Sequence, residues 1–108
     1  MSVTAAPGFV ASGVHCGIRR RHSDLALVRS AVPATGAGMF TVNRMQAAPV
    51  VVSKQHLELT EPQAVVVNSG NANAATGEQG ERDARTTAAA TARLLGLAEA
   101  QVLVLSTG

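Results

Sequence analysis

The sequence predicts an α/β fold built on a mixed sheet, and three observations in its 108 residues lead there. Short apolar runs bounded by turn residues fill the first half. A long, alanine-rich periodic segment follows, and it lies between two continuous apolar runs, 64–68 and 102–105, as in a strand–helix–strand crossover.

Taken in order, the runs 24–29 (DLALVR), 38–42 (GMFTV) and 49–53 (PVVVS) predict three short strands separated by Pro33, Gly36 and Gly38. Pro49 is expected to open its strand, because an interior proline would remove a ladder hydrogen bond. The polar segment 58–63, with Pro62, divides these from the strand at 64–68. The loop 68–80 then carries Asn68, Asn71 and Asn73 between that strand and a helix, where α/β proteins commonly hold ligands.

Thr76-Gly77-Glu78-Gln79 fits a capping box at the helix start. Ala84, Ala88, Ala92 and Leu95 recur at spacings of four, four and three, which puts them on one inward face. Glu78 with Arg82, and Glu81 with Arg85, are acid-before-base pairs of about 0.2–0.5 kcal/mol each. Gly96 supplies the stop. The run 102–105 lacks alternation, which predicts a strand covered on both faces. Ser106-Thr107-Gly108 follows it directly, and natural domains seldom stop in such a turn. Residues 1–108 are therefore expected to be a truncated sequence.

Composition narrows the function classes. Apolar residues make up 46% of the chain and aromatics 2%, so a core of Val, Leu, Ala and Met is expected. Nine basic and seven acidic residues give a formal net charge of +2, too balanced to predict nucleic-acid binding. The run Arg19-Arg20-Arg21-His22 lacks interleaved aromatics and reads as a solvated turn. The single cysteine, Cys16, allows no internal disulfide and no cysteine metal cluster, and a buried, inert thiol is expected. No leader pattern or membrane-length apolar run is present, so a soluble, cytoplasmic protein is expected. His15, His22 and His56 lack metal-ligand spacing and read as turn or surface residues.

The loop 68–80 matches neither dinucleotide nor P-loop glycine patterns and has no lysine for a phosphate. Its asparagines suit turn conformations and backbone hydrogen bonding. Ser106-Thr107-Gly108, at a strand end, offers hydroxyls and an unhindered N–H, the features of an oxyanion hole, in which each donor contributes about 2.7–4 kcal/mol. By spacing alone it equally fits an ordinary turn, and no nucleophile or base can be assigned beside it. A small α/β module that captures an anion at the helix N-terminus is the alternative.

Ordered blocks along nearly the whole chain carry a resemblance. Pro7-Gly8-Phe9, Ala11-Ser12-Gly13-Val14, Gly17-Ile18, Asp24-Leu25-Ala26-Leu27, Val32-Pro33-Ala34-Thr35, Gly38-Met39-Phe40-Thr41, Asn43-Arg44, Ala47-Ala48-Pro49-Val50, the loop 68–80 and Ser106-Thr107-Gly108 resemble the ornithine acetyltransferase family of arginine biosynthesis. The resemblance implies stacked mixed sheets flanked by helices, similar to the amino-terminal-nucleophile hydrolases, with residues 1–108 an incomplete N-terminal portion of a single α/β domain.

The activity it implies is transfer of acetyl from N-acetylornithine, and in bifunctional members from acetyl-CoA, to glutamate, without metal or organic cofactor. Self-cleavage before a threonine would supply the nucleophile, and two α and two β chains would form a heterotetramer. By position, Thr107 and Gly108 match the family's oxyanion pair. The nucleophile and substrate-holding residues lie further along in members, so this chain alone is expected to be inactive. A related acetyltransferase of secondary metabolism is the second alternative. Ala75 departs from the cysteine found in many members, and the Arg19–His22 run departs from a more loosely basic segment.

Overall fold

In the computed structural model, which describes residues 2–18 and 20–108, four strands form one mixed sheet in chain order, and two helices pack against it. Strand β1 is Phe9–Val14 and β2 is Leu25–Ser30; they pair antiparallel, with Phe9 opposite Ser30 and Val14 opposite Leu25. Strand β3, Ala64–Ser69, is antiparallel to β2, and β4, Val102–Thr107, is parallel to β3. The α/β class and the strand–helix–strand unit are as the sequence implies.

Helix α1, Ala48–Leu59, occupies the place where 49–53 predicted a strand. The valine run suggested extended chain, but Pro49 sits in the first turn of a helix, where its missing N–H is no loss. Ala48, Pro49, Val52, Ser53 and His56 are the buried residues. Their spacing is that of one helical face, and burial of that face outweighs the modest β preference of three valines. His56 is accordingly buried rather than at the surface.

The run 38–42 is not a strand either. Met39 and Val42 are fully exposed, and Thr41 and Asn43 side chains accept from Asn43 N and Met45 N, closing local turns instead of a ladder. Conversely, β1 was not expected: it is exposed along its length, so no buried alternation marks it.

Helix α2, Gly77–Leu95, presents Gly80, Ala84, Ala88 and Ala92 inward, as the periodicity requires. Gly96 ends it in a left-handed conformation at φ 70°, its N–H donating to Ala92 O. The capping box is not formed. The Thr76 hydroxyl donates to Asn73 Oδ1, and Gln79 pairs with Asp83. Glu78 and Arg82 pair at 3.7 Å, whereas Arg85 reaches across to Gln55.

The core consists of Val52, Ala64, Val66, Ala84, Ala88, Ala92, Val102 and Val104, flanked by Leu25, Leu27, Leu95 and Leu97. Among the described residues it contains no methionine: Met39 and Met45 are exposed. Strand β4 is covered on one face, not two, because Val102 and Val104 are buried while Leu103 is half-buried and Leu105 exposed. Among the described residues, no helix is long and apolar enough to cross a membrane.

Candidate active site

The carboxyl ends of β3 and β4 lie side by side, with Asn68 opposite Ser106 and Ser69 opposite Thr107. Thr107 O accepts from Gly70 N at 3.0 Å, so the pairing extends one residue past β3. Side chains alternate across a strand. Ser106 therefore shares the helix-covered face with Val104, and its hydroxyl donates to Asn68 Oδ1. Thr107 points to the other face with Leu105. Both Thr107 and Gly108 are exposed.

The loop 68–80 is held by its own side chains. Asn68 Nδ2 donates to Asn71 O at 2.9 Å, and Asn73 Nδ2 donates to Gly80 O at 3.0 Å. Asn73 has φ 46°, a left-handed conformation that asparagine tolerates, as expected of the loop's asparagines. A cavity of about 290 Å³ lies between this loop and α2, lined by Asn68, Asn71, Asn73, Thr76 and Ser106 among others. Thr107 instead lines a more apolar cavity of about 340 Å³ beside α1, with Phe40, Pro49, Val50 and Leu105. The two cavities share Pro49, Leu105 and Ser106 in their linings, and Gly108 lies beside the loop, where a Cβ on it would stand 3.9 Å from Ala72 Cβ.

The turn from β1 to β2 lies at the same end of the sheet, since Leu25 pairs with Asn68. Asp24 is buried, and its two carboxylate oxygens accept from Cys16 N at 2.6 Å and Gly17 N at 3.1 Å. Its backbone O accepts from Ser69 N at 2.9 Å, which ties the turn to the end of β3. His15 Nε2 lies 3.9 Å from Asp24 Oδ2. Cys16 is exposed, contrary to the expected buried thiol, and its hydrogen bond to Asp24 raises its pKa above the usual thiol value. Arg20, Arg21 and His22 are exposed, as a solvated turn requires, while Arg19 lies outside the described residues. No cluster of three His, Cys, Asp or Glu suited to a metal ion occurs among the described residues.

Two residues of α1 had no sequence signal beyond their spacing of three. Ser53 Oγ donates to Val104 O at 2.8 Å and accepts from Val104 N at 3.1 Å. His56 Nδ1 bonds Val102 O at 2.8 Å, and its Nε2 lies 3.8 Å from Glu99. A carbonyl can only accept, so Nδ1 carries the proton. Polar side chains are ambiguous in sequence when their partner is a backbone group far along the chain.

The ArgJ family model matches residues 10–108. The chain belongs to the ArgJ family. It is 51% identical to the arginine biosynthesis bifunctional protein ArgJ of Streptomyces coelicolor, over all of this chain and 29% of that protein. The ArgJ of Caldanaerobacter subterraneus subsp. tengcongensis is 50% identical over 94% of this chain and 25% of its own length. The chain thus spans about a quarter of the length of these curated relatives. Among solved structures, ArgJ of Bacillus halodurans superposes with a TM-score of 0.96 at 43% identity, covering all of this chain and 57% of that one. Ornithine acetyltransferase of Mycobacterium tuberculosis, crystallised with ornithine, gives 0.93 at 43% identity, over 98% of this chain and 58% of that one. The mixed sheet with its helices is thus the ArgJ arrangement, as the resemblance implied.

Proposed function

We propose that this chain forms the amino-terminal part of a cytoplasmic arginine-biosynthesis acetyltransferase that moves acetyl from N-acetylornithine to glutamate and also accepts acetyl-CoA as donor. In this reading a threonine hydroxyl elsewhere in the complete enzyme attacks the acetyl carbonyl. Ornithine leaves as its amine, and the acetyl-threonine ester is then attacked by the glutamate amine. Each attack builds negative charge on the acetyl oxygen. The Thr107 hydroxyl and Gly108 N–H are the donors proposed to stabilise it, in a preorganised position that needs no rearrangement as charge develops. The chemistry rests on side chains and backbone, without metal or organic cofactor.

The observation that carries this reading is the placement of Thr107 and Gly108, exposed at the end of a strand held on its inner side by β3, in a chain of the ArgJ family. Its test is steady-state kinetics on the complete enzyme. Thr107→Ala should lower kcat by roughly 10²–10³-fold while the fold persists. Unchanged turnover removes Thr107 from the role. The same reading makes residues 1–108 inactive alone and the complete enzyme a heterotetramer of two α and two β chains. Acetyl transfer by the isolated chain, or a different mass by light scattering, would refute those parts.

A further inference from the structure

Strand β4 has two edges, and among the described residues only one of them pairs with a strand. Backbone groups of alternate residues point to the same edge, and those of Val102 and Val104 turn away from β3. Such groups are costly to bury without partners. Helix α1 supplies the partners from its side chains: His56 to Val102 O, and Ser53 to both the N–H and the C=O of Val104. Ser53 mimics a neighbouring strand by donating and accepting at one residue. Ser53 and His56 are themselves buried, at 6% and 2% exposure, so water does not compete for these bonds.

We infer that Ser53 and His56 are positioning residues for acetyl transfer: they lock the outer edge of β4 to α1 and so fix where Thr107 and Gly108 stand. The inference rests on the oxyanion role proposed above. Three bonds on the outer edge and the β3 ladder on the inner edge restrain β4 against sliding or tilting. Thr107 lies three residues beyond Val104, about 10 Å along an extended strand. A small rotation of β4 at Val104 is therefore carried directly to the donor atoms. Oxyanion donors must stand within a few tenths of an ångström of their hydrogen-bonding distance, so a shift too small to unfold the protein still weakens them.

The experiment is steady-state kinetics on the complete enzyme, with activity expressed per folded molecule at a temperature well below melting. Ser53→Ala should lower kcat by roughly 10- to 100-fold with little change in donor KM, because the donors act on charge formed in the transition state. Ser53→Thr retains the hydroxyl and should recover most of that loss. At position 56, His56→Asn places an amide N–H close to where Nδ1–H stood and should keep most activity, whereas His56→Leu should lose it. If Ser53→Ala does not fold, the His56 pair gives the same answer. The inference is overturned if Ser53→Ala and His56→Leu melt lower but turn over at the normal rate, or if the conservative variants lose as much as the others. Thr107→Ala run in parallel separates the two readings. Normal turnover there refutes the oxyanion role, while a damaged Thr107→Ala beside a normal Ser53→Ala refutes positioning alone.

Discussion

Gly80 approaches Thr76 so closely that a Cβ on Gly80 would overlap the Thr76 hydroxyl oxygen and lie 2.6 Å from its Cβ. The absence of a side chain at Gly80 is what lets the Asn73–Thr76 hydrogen bond fold down onto the first turns of α2. The same Asn73 amide donates to Gly80 O, so loop and helix are joined at this point from both sides.

Gly80→Ala is accordingly expected to destabilise the protein. Alanine improves helix propensity by about 1 kcal/mol, but overpacking costs about 1–3 kcal/mol. Rotating the Thr76 hydroxyl aside does not clear its Cβ, so the clash outweighs the propensity gain. Urea denaturation checks the sign, and a higher midpoint for Gly80→Ala would refute the close approach.

Asp24 governs the β1–β2 turn through Cys16 N and Gly17 N. Removing the carboxylate in Asp24→Ala leaves both donors without this charged acceptor, and hydrogen bonds to charged groups contribute about 1.5–3 kcal/mol. A loss of that order in unfolding free energy is expected, together with faster amide exchange at Cys16 and Gly17. Unchanged exchange there would contradict the assignment.

Cys16 should alkylate slowly for an exposed thiol. Its hydrogen bond to Asp24 raises its pKa, so the thiolate, which is the reactive form, appears only at higher pH than in an ordinary thiol. The sign follows from linkage. The protonated thiol makes the contact, which is present at neutral pH and is lost as pH rises through the raised pKa. Iodoacetamide labelling followed against pH by mass spectrometry should show a profile displaced to higher pH. Asp24→Asn should move it back, and coincident profiles would exclude the hydrogen bond as its cause.

Hydroxyl and shape at Thr107 can be separated. Thr107→Val keeps the β-branched shape without a donor and should lower kcat of the complete enzyme by roughly 10²–10³-fold. Thr107→Ser keeps the donor and should stay near the native rate. Equal damage in both would point to the shape of the cavity that Thr107 lines with Leu105 and Phe40 instead of hydrogen bonding.

The parts of this fold written in local pattern were legible. The alanine spacing of α2, its stop at Gly96, and the flanking runs of β3 and β4 each depend on residues adjacent along the chain, and they stand as expected. The site was legible only as a strand end: Ser106-Thr107-Gly108 could be placed there, and its role came from the resemblance. Where local pattern pointed two ways, it misled. Pro49 with three valines can open a strand or a helix, and Thr76 with Gln79 can close a capping box unless a nearer acceptor, here Asn73, takes the hydroxyl.

The sequence by itself therefore determined the α/β class, the crossover from β3 to β4, the position of Thr107 and Gly108 at its end, and the family. Only the tertiary structure decided that 48–59 is a helix, that 9–14 pairs as a strand, and that Asp24, Ser53 and His56 are buried. The physical reason is range. Helical periodicity and turn chemistry act between neighbours, whereas a polar side chain buried against a backbone group 46 or 51 positions away depends on a contact that exists only after the chain has folded.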